Sequence, residues 1–247
     1  MVRIDDVNWY ELGLSKRTGW TGPTDKTDRT ETDRTGPTTF GPVLGLSFLA
    51  NLVFGPVGPV RSGLDRPKTQ KNLPNWTGPI EDRLITGLTW CINNGMQVVN
   101  MSLGLSQDMK SFHTALTQAY NAGIVLVAAA GNTSGPTIYP AAYPQCISVS
   151  ATDQKSNALA YFSSYGKVDL AAPGVNIKSC WLNGGYVVES GTSMSTAHVT
   201  GVVALHLMKY PGLTPAQVLA DLQAEATPLG SPADFGAGEV NAYKAAQ

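Results

Sequence analysis

Ser190-Gly191-Thr192-Ser193-Met194-Ser195-Thr196-Ala197-His198-Val199-Thr200-Gly201-Val202-Val203-Ala204-Leu205-His206-Leu207-Met208-Lys209-Tyr210 joins a Gly-Thr-Ser turn to a small-residue stretch and then to an apolar run. Small residues let a helix pack closely. Val199, Val202, Val203, Leu205, Leu207 and Met208 leave little of this one for solvent, so the stretch predicts a buried helix. A serine at the mouth of such a helix lies in the field of its N-terminus, where unpaired N–H groups favour developing negative charge. Ser193 is therefore the candidate nucleophile. The plainer alternative is that Thr192 or Ser193 only caps the helix.

Upstream of that helix the chain alternates in period. Leu84, Ile85, Leu88, Cys91 and Ile92 fall at helical spacing and stop at Asn94-Gly95. Residues 96–101 form a short apolar strand, and Met109, Phe112, Leu116 and Tyr120 mark an amphipathic helix closed by Gly123. The unbroken apolar run from Ile124 to Ala130 fits a strand buried on both faces. Residues 146–151 and 168–172 are further strands. A last helix starts with Thr214 as its cap and Pro215 at its first position. Strands alternating with helices predict an α/β fold with a doubly wound, mainly parallel sheet over residues 80–247.

Residues 1–79 differ in kind. Residues 1–80 hold 10 of the 17 Lys and Arg and 8 of the 16 prolines, and residues 18–39 contain nine threonines. No helix or strand period survives there beyond a strand-like Val2–Ile4, so the composition predicts loop or disorder and an irregular N-terminal part.

A chain of 247 residues that is 43% hydrophobic can build one large core. Its formal net charge of −1 argues against nucleic acid or an anionic membrane surface as partner. The apolar stretch 43–60 is broken by Asn51, Pro56 and Pro59, which makes it a poor membrane span, and the first residues have no signal-peptide core. Cys91, Cys146 and Cys180 show no metal-ligand spacing and are expected as three buried thiols.

Gly191-Thr192-Ser193-Met194 followed by His198-Val199-Thr200-Gly201 resembles the nucleophile motif of the subtilisin family of serine proteases, with Ala197 where the family usually has proline. Four further stretches between Ile80 and Gln247 are similar to family motifs in family order. They are Val99 to Gly104, Ala128 to Asn132, Phe162 to Gly166 with Ala172-Pro173-Gly174, and Gly236 to Asn241. The resemblance implies a subtilisin-type sheet and a serine endopeptidase acting on polypeptide substrates as an extracellular monomer. Acyl transfer would go to Ser193, and Asn132 would serve as oxyanion donor. Taken alone, a Gly-Asn pair after a strand is simply a turn. The same resemblance makes Ser102, Leu103 and Gly104 the edge that pairs with a substrate backbone. Ala129, Ala130 and Gly131 become the walls of an open pocket for a large apolar side chain. No cofactor is required and no metal ligands are assigned. A structural calcium ion is the one addition the resemblance allows, with Asp169 at a position where relatives often bind a cation through backbone oxygens.

Serine needs a base, and the base needs an orienting carboxylate. The family's Asp-(Ser/Thr)-Gly and His-Gly-Thr-His motifs are both missing, and no histidine precedes His113. His206 lies about 20 Å along the helix from Ser193, and His198 about 7.5 Å along it and rotated by roughly 140°. His113 borders an apolar face, so none of the three is placed as a base. Asp5, after Val2-Arg3-Ile4, is the one candidate for the aspartate. The readings left open are an endopeptidase by descent, a non-catalytic peptide-binding relative, and a fragment preceded by a disordered interaction segment. The abrupt break also suggests a misread frame over residues 18–79. Thr35-Gly36-Pro37-Thr38 is written ACN-GGN-CCN-ACN, and regrouping one base earlier gives NAC-NGG-NCC-NAC, which can encode His-Gly-Thr-His.

Overall fold

The computed structural model describes residues 80–181 and 185–247, together with the backbone of Val53–Phe54. Asp5, the strand expected at Val2–Ile4 and the division at residue 79 lie outside the described residues.

A two-residue strand, β1 (Val53–Phe54), precedes helix α1 (Ile80–Asn93), strand β2 (Val98–Met101), helix α2 (Lys110–Asn121) and strand β3 (Val125–Ala129). Strands β4 (Cys146–Asp153), β5 (Ala158–Leu159) and β6 (Leu170–Pro173) follow, then β7 (Ile177–Cys180) and β8 (Tyr186–Glu189). Helices α3 (Thr192–Lys209), α4 (Pro215–Glu225), α5 (Pro232–Phe235) and α6 (Ala242–Ala245) complete the order. β2, β3, β4 and β6 run parallel in that spatial order, with β1 antiparallel to β2 and β5 antiparallel to β4.

The parallel strands are covered on both faces, and their side chains divide by alternation. Val99, Met101, Leu126, Ala128 and Cys146 pack with Leu84, Leu88 and Cys91 of α1 and Phe112 and Leu116 of α2. Val98, Val125, Val127, Ile147, Val149 and Leu170 point the other way, to Val199, Val202 and Val203 of α3 and Val218 and Leu222 of α4. With a side-chain period of two, an unbroken apolar run is what a strand between two helical layers requires. The doubly wound α/β arrangement is therefore present. Gly174, just after β6, seats α3 closely: a Cβ there would collide with Ser195 Oγ and lie 2.6 Å from Ala151 Cβ.

Thr214 caps α4 as expected, in a reciprocal capping box with Gln217 and with Pro215 at the first helical position. It does not open the last helix, because the single-turn α5 and α6 follow it. The β7–β8 ribbon pairs antiparallel outside the main sheet and was not expected from the sequence. α3 is buried along most of its length, but Met208 near its end is 44% exposed, contrary to the apolar-run reading.

The cysteines need a similar correction. Cys91 and Cys146 are buried, whereas Cys180 is exposed on the two-stranded ribbon. Burial pushes the Cys91 thiol up to about 11 and the Cys146 thiol up to about 12. In the folded protein at about pH 8, iodoacetamide is expected to modify Cys180 and spare the other two, read by peptide mapping. Equal modification of Cys146 would contradict its burial.

Candidate active site

The site forms where β2 and β3 end. Their register pairs Asn100 with Val127 and Met101 with Ala128, so the segments that leave both strands emerge side by side. In open α/β sheets this carboxyl edge is where ligands bind. The first turn of α3 closes the same edge from below.

Gly191 occupies the N-cap of α3 and makes no side-chain cap bond, so neither Thr192 nor Ser193 plays the capping role. Thr192 bonds to Asn132 instead. The Thr192 N–H donates to Asn132 Oδ1 at 2.9 Å, and Thr192 Oγ1 donates to the same oxygen at 2.8 Å. Gly131 N in turn donates to Thr192 Oγ1 at 3.2 Å. An N–H can only donate, so these bonds fix which end of the amide faces Thr192. Asn132 Nδ2 is left pointing towards Gly191.

The helix start has a matching vacancy among its donors. The Thr192 N–H is taken by Asn132 and the Met194 N–H by the Gly191 carbonyl, while the Ser193 N–H has no partner among the described residues. A Cβ built on Gly191 would lie 3.3 Å from Asn132 Nδ2 and 3.7 Å from Ser193 N. Two donors with no partner among the described residues thus lie around one small space, which is kept open because residue 191 has no side chain. Ser193 itself is half-buried at that mouth.

Beyond Met101 the chain leaves the sheet. Ser102 and Leu103 are half-buried and Gly104 is exposed. Among the described residues no main-chain group of these three has a backbone partner, and pairing resumes at Leu105, whose N–H donates to Tyr139 O at 2.7 Å. Among the described residues the backbone of this segment is therefore unpaired.

The pocket expected over Ala129, Ala130 and Gly131 is not open on the Cβ side of Gly131. All three residues are buried, and a Cβ on Gly131 would lie 2.8 Å from Ser164 Oγ and 3.0 Å from Ile138.

All three histidines of the chain have other partners. His198 Nδ1 faces Met194 O at 2.9 Å, one turn back along its own helix. His113 stacks on Tyr143 with ring centroids 3.9 Å apart, and its Nε2 meets Gln145. His206 is buried between Ala245 O at 3.0 Å and Asp221 at 3.2 Å. None bonds to Ser193.

Among the described residues no group of three or more His, Cys, Asp or Glu could hold a metal ion. The Asp169 carboxylate is neutralised from within the chain. Lys167 Nζ lies 2.6 Å from it and also donates to Cys146 O, and the Ser148 N–H donates to it at 2.7 Å.

A family model for subtilases matches residues 75–238. The chain belongs to the subtilase family. It is similar to a thermostable alkaline protease of Halalkalibacterium halodurans, 45% identical over 163 residues, which cover 65% of this chain and 45% of that protein. Subtilisin of Bacillus pumilus is 43% identical over 169 residues, 66% of this chain and 62% of the relative. Subtilisin E of Bacillus subtilis is 45% identical over 170 residues, 66% of this chain and 44% of the relative. The chain spans about half the length of the curated subtilases it matches. The family match begins at residue 75, close to where the sequence changes character, and leaves the stretch before it unmatched.

Sequence reasoning alone did not find Thr192 as an orienting residue. Its partner Asn132 is 60 positions away, and only the stacking of α3 under β3 joins them.

Proposed function

We propose that residues 80–247 are the nucleophile-bearing part of a subtilisin-like serine endopeptidase that acts on extended polypeptides. Ser193 Oγ attacks the scissile carbonyl carbon, the C–N bond breaks, the hydroxyl proton ends on the departing amine, and water then hydrolyses the acyl-enzyme ester. Asn132 Nδ2 and the Ser193 N–H hold the oxyanion as the carbonyl carbon becomes tetrahedral. Ser102, Leu103 and Gly104 bind the substrate backbone by strand addition, which gives affinity with little demand on sequence. The observation that carries this reading is that those two donors, without a partner among the described residues, lie beside Ser193. The aspartate role stays with Asp5, on sequence position only. No cofactor takes part, the working unit is a monomer, and the place of action is extracellular. For the last point the support is likeness to relatives such as the minor extracellular protease Epr of Bacillus subtilis, 41% identical over 177 residues, 69% of this chain and 27% of the relative.

The three engaged histidines favour a restriction on this reading. With no base at Ser193, the chain binds peptides and hydrolyses them slowly. Oxyanion donors and binding alone leave an acceleration of about 10³–10⁴ over water, far below a full triad. Peptide hydrolysis is therefore expected at that low level and, because this residual activity needs no serine, is expected to persist in Ser193→Ala. Robust casein hydrolysis abolished by the same substitution would show that a group outside the described residues acts as base. The serine role is tested instead by fluorophosphonate labelling, in which no label on Ser193 would overturn it.

A further inference from the structure

Three hydrogen bonds that this chemistry leaves unused run from the middle of α3 back to its first turn. Thr200 Oγ1 donates to Asn100 Oδ1 at 3.1 Å, Asn100 Nδ2 donates to Ser102 Oγ at 2.9 Å, and Ser102 Oγ donates to the Ser193 main-chain carbonyl at 2.8 Å. Asn100 is 1% exposed and Thr200 is fully buried. The direction of the chain follows from the groups themselves. A carbonyl only accepts, so Ser102 commits its single proton to Ser193 and must accept from Asn100. That role requires the amide nitrogen, which turns Asn100 Oδ1 towards Thr200. Thr200 shares its proton with Thr196 O at 2.8 Å, so its link is the loosest of the three.

We propose that Asn100 and Ser102, backed by Thr200, are positioning residues for Ser193. The inference rests on the reading of Ser193 as nucleophile. The Ser193 carbonyl belongs to the peptide unit that begins the helix after the nucleophile. Fixing it sets the pitch of that first turn, and so the direction of Ser193 Oγ and of the free Ser193 N–H. Asn132 and Thr192 hold the turn from the β3 side, and Ser102 holds it from the β2 side. Ser102 is also the first residue of the unpaired segment. A polypeptide lying along Ser102–Gly104 is therefore one hydrogen bond away from the backbone of the nucleophile, so occupancy of the segment stiffens the reacting serine. Buried polar chains in which every member is satisfied are rigid, which suits this role.

The test compares a peptide boronic acid with its parent peptide on the full chain. Boron accepts an electron pair from Ser193 Oγ and becomes tetrahedral, while the hydroxyl proton leaves to solvent. The ratio of the two affinities reports how well Ser193 is aimed. Ser102→Ala is expected to lower that ratio about five- to tenfold, as loss of one hydrogen bond to the backbone of the nucleophile would. Ser102→Thr, which keeps the hydroxyl, is expected to restore it. Thr200→Val removes only the far link and is expected to lower the ratio by about twofold; it serves as the second arm where Ser102→Ala does not fold. An unchanged ratio in a folded Ser102→Ala or Thr200→Val protein overturns the positioning role and leaves the serine reading intact. A ratio of one in the unsubstituted chain and in Ser193→Ala alike overturns the serine reading itself, and the positioning role with it.

Discussion

Asn132→Ala is expected to slow the reaction of Ser193 with an acylating or phosphonylating reagent by about 10²–10³-fold, a magnitude taken over from subtilisin, a member of the same family. The physical reason lies in the amide's orientation. Its oxygen is held by two donors from Thr192, so only Nδ2 faces the space beside Gly191. Removing the side chain takes away one of the two donors at the mouth, where Asn132 is exposed and only water can replace it. Water enters, but it must reorganise as charge develops, whereas the fixed amide need not. Asn132→Asp is expected to be as damaging, since a carboxylate aimed at an oxyanion repels it. Thr192→Val is expected to cost less, because the Thr192 main-chain N–H still holds Asn132 Oδ1. Labelling rates within threefold of the unsubstituted chain for Asn132→Ala would remove Asn132 from the mechanism.

A larger effect is expected from the coding frame. The chain carries three histidines, and the fold commits all of them elsewhere. We propose that residues 18–79 are read from a displaced frame. The base before the Thr35 codon and the base before the Thr38 codon are then both C, and the Thr35 and Gly36 codons end in G and A, which places His-Gly-Thr-His in the neighbouring frame. A chain translated in that frame is expected to hydrolyse casein about 10⁴–10⁶-fold faster than the chain as it stands. That range again comes from subtilisin, where loss of a triad member costs that much. Any other base at any of these positions shows that the motif is not hidden there. Residues 1–79 are then a genuine replacement, and the peptide-binding reading stands.

The elements that the sequence revealed are those whose burial imposes a period. Leu84, Leu88 and Cys91 face one layer of the core from α1, and Phe112 and Leu116 face it from α2, so helical spacing shows in the residues. β3 reads as an unbroken apolar run because both of its faces meet helices. The β7–β8 ribbon stayed hidden because its residues are mostly exposed and carry no such constraint. Cys180 was misjudged for the same reason, since a small apolar residue on an exposed ribbon looks no different in sequence from one in a core. In the site, motif order pointed to Ser193 and Asn132, and the fold sets Asn132 against the first turn of the Ser193 helix. Thr192 and Asn100 were not legible, because their roles depend on partners 60 and 100 positions away.

The central claim is that Ser193 is a nucleophile set in a two-donor oxyanion site. Its most direct test is incubation of the full chain with a fluorophosphonate, followed by peptide mapping of the label. The account predicts slow, single-site labelling on Ser193 that is lost in Ser193→Ala. No label on Ser193 after prolonged incubation, or equal label spread over other serines, would contradict it.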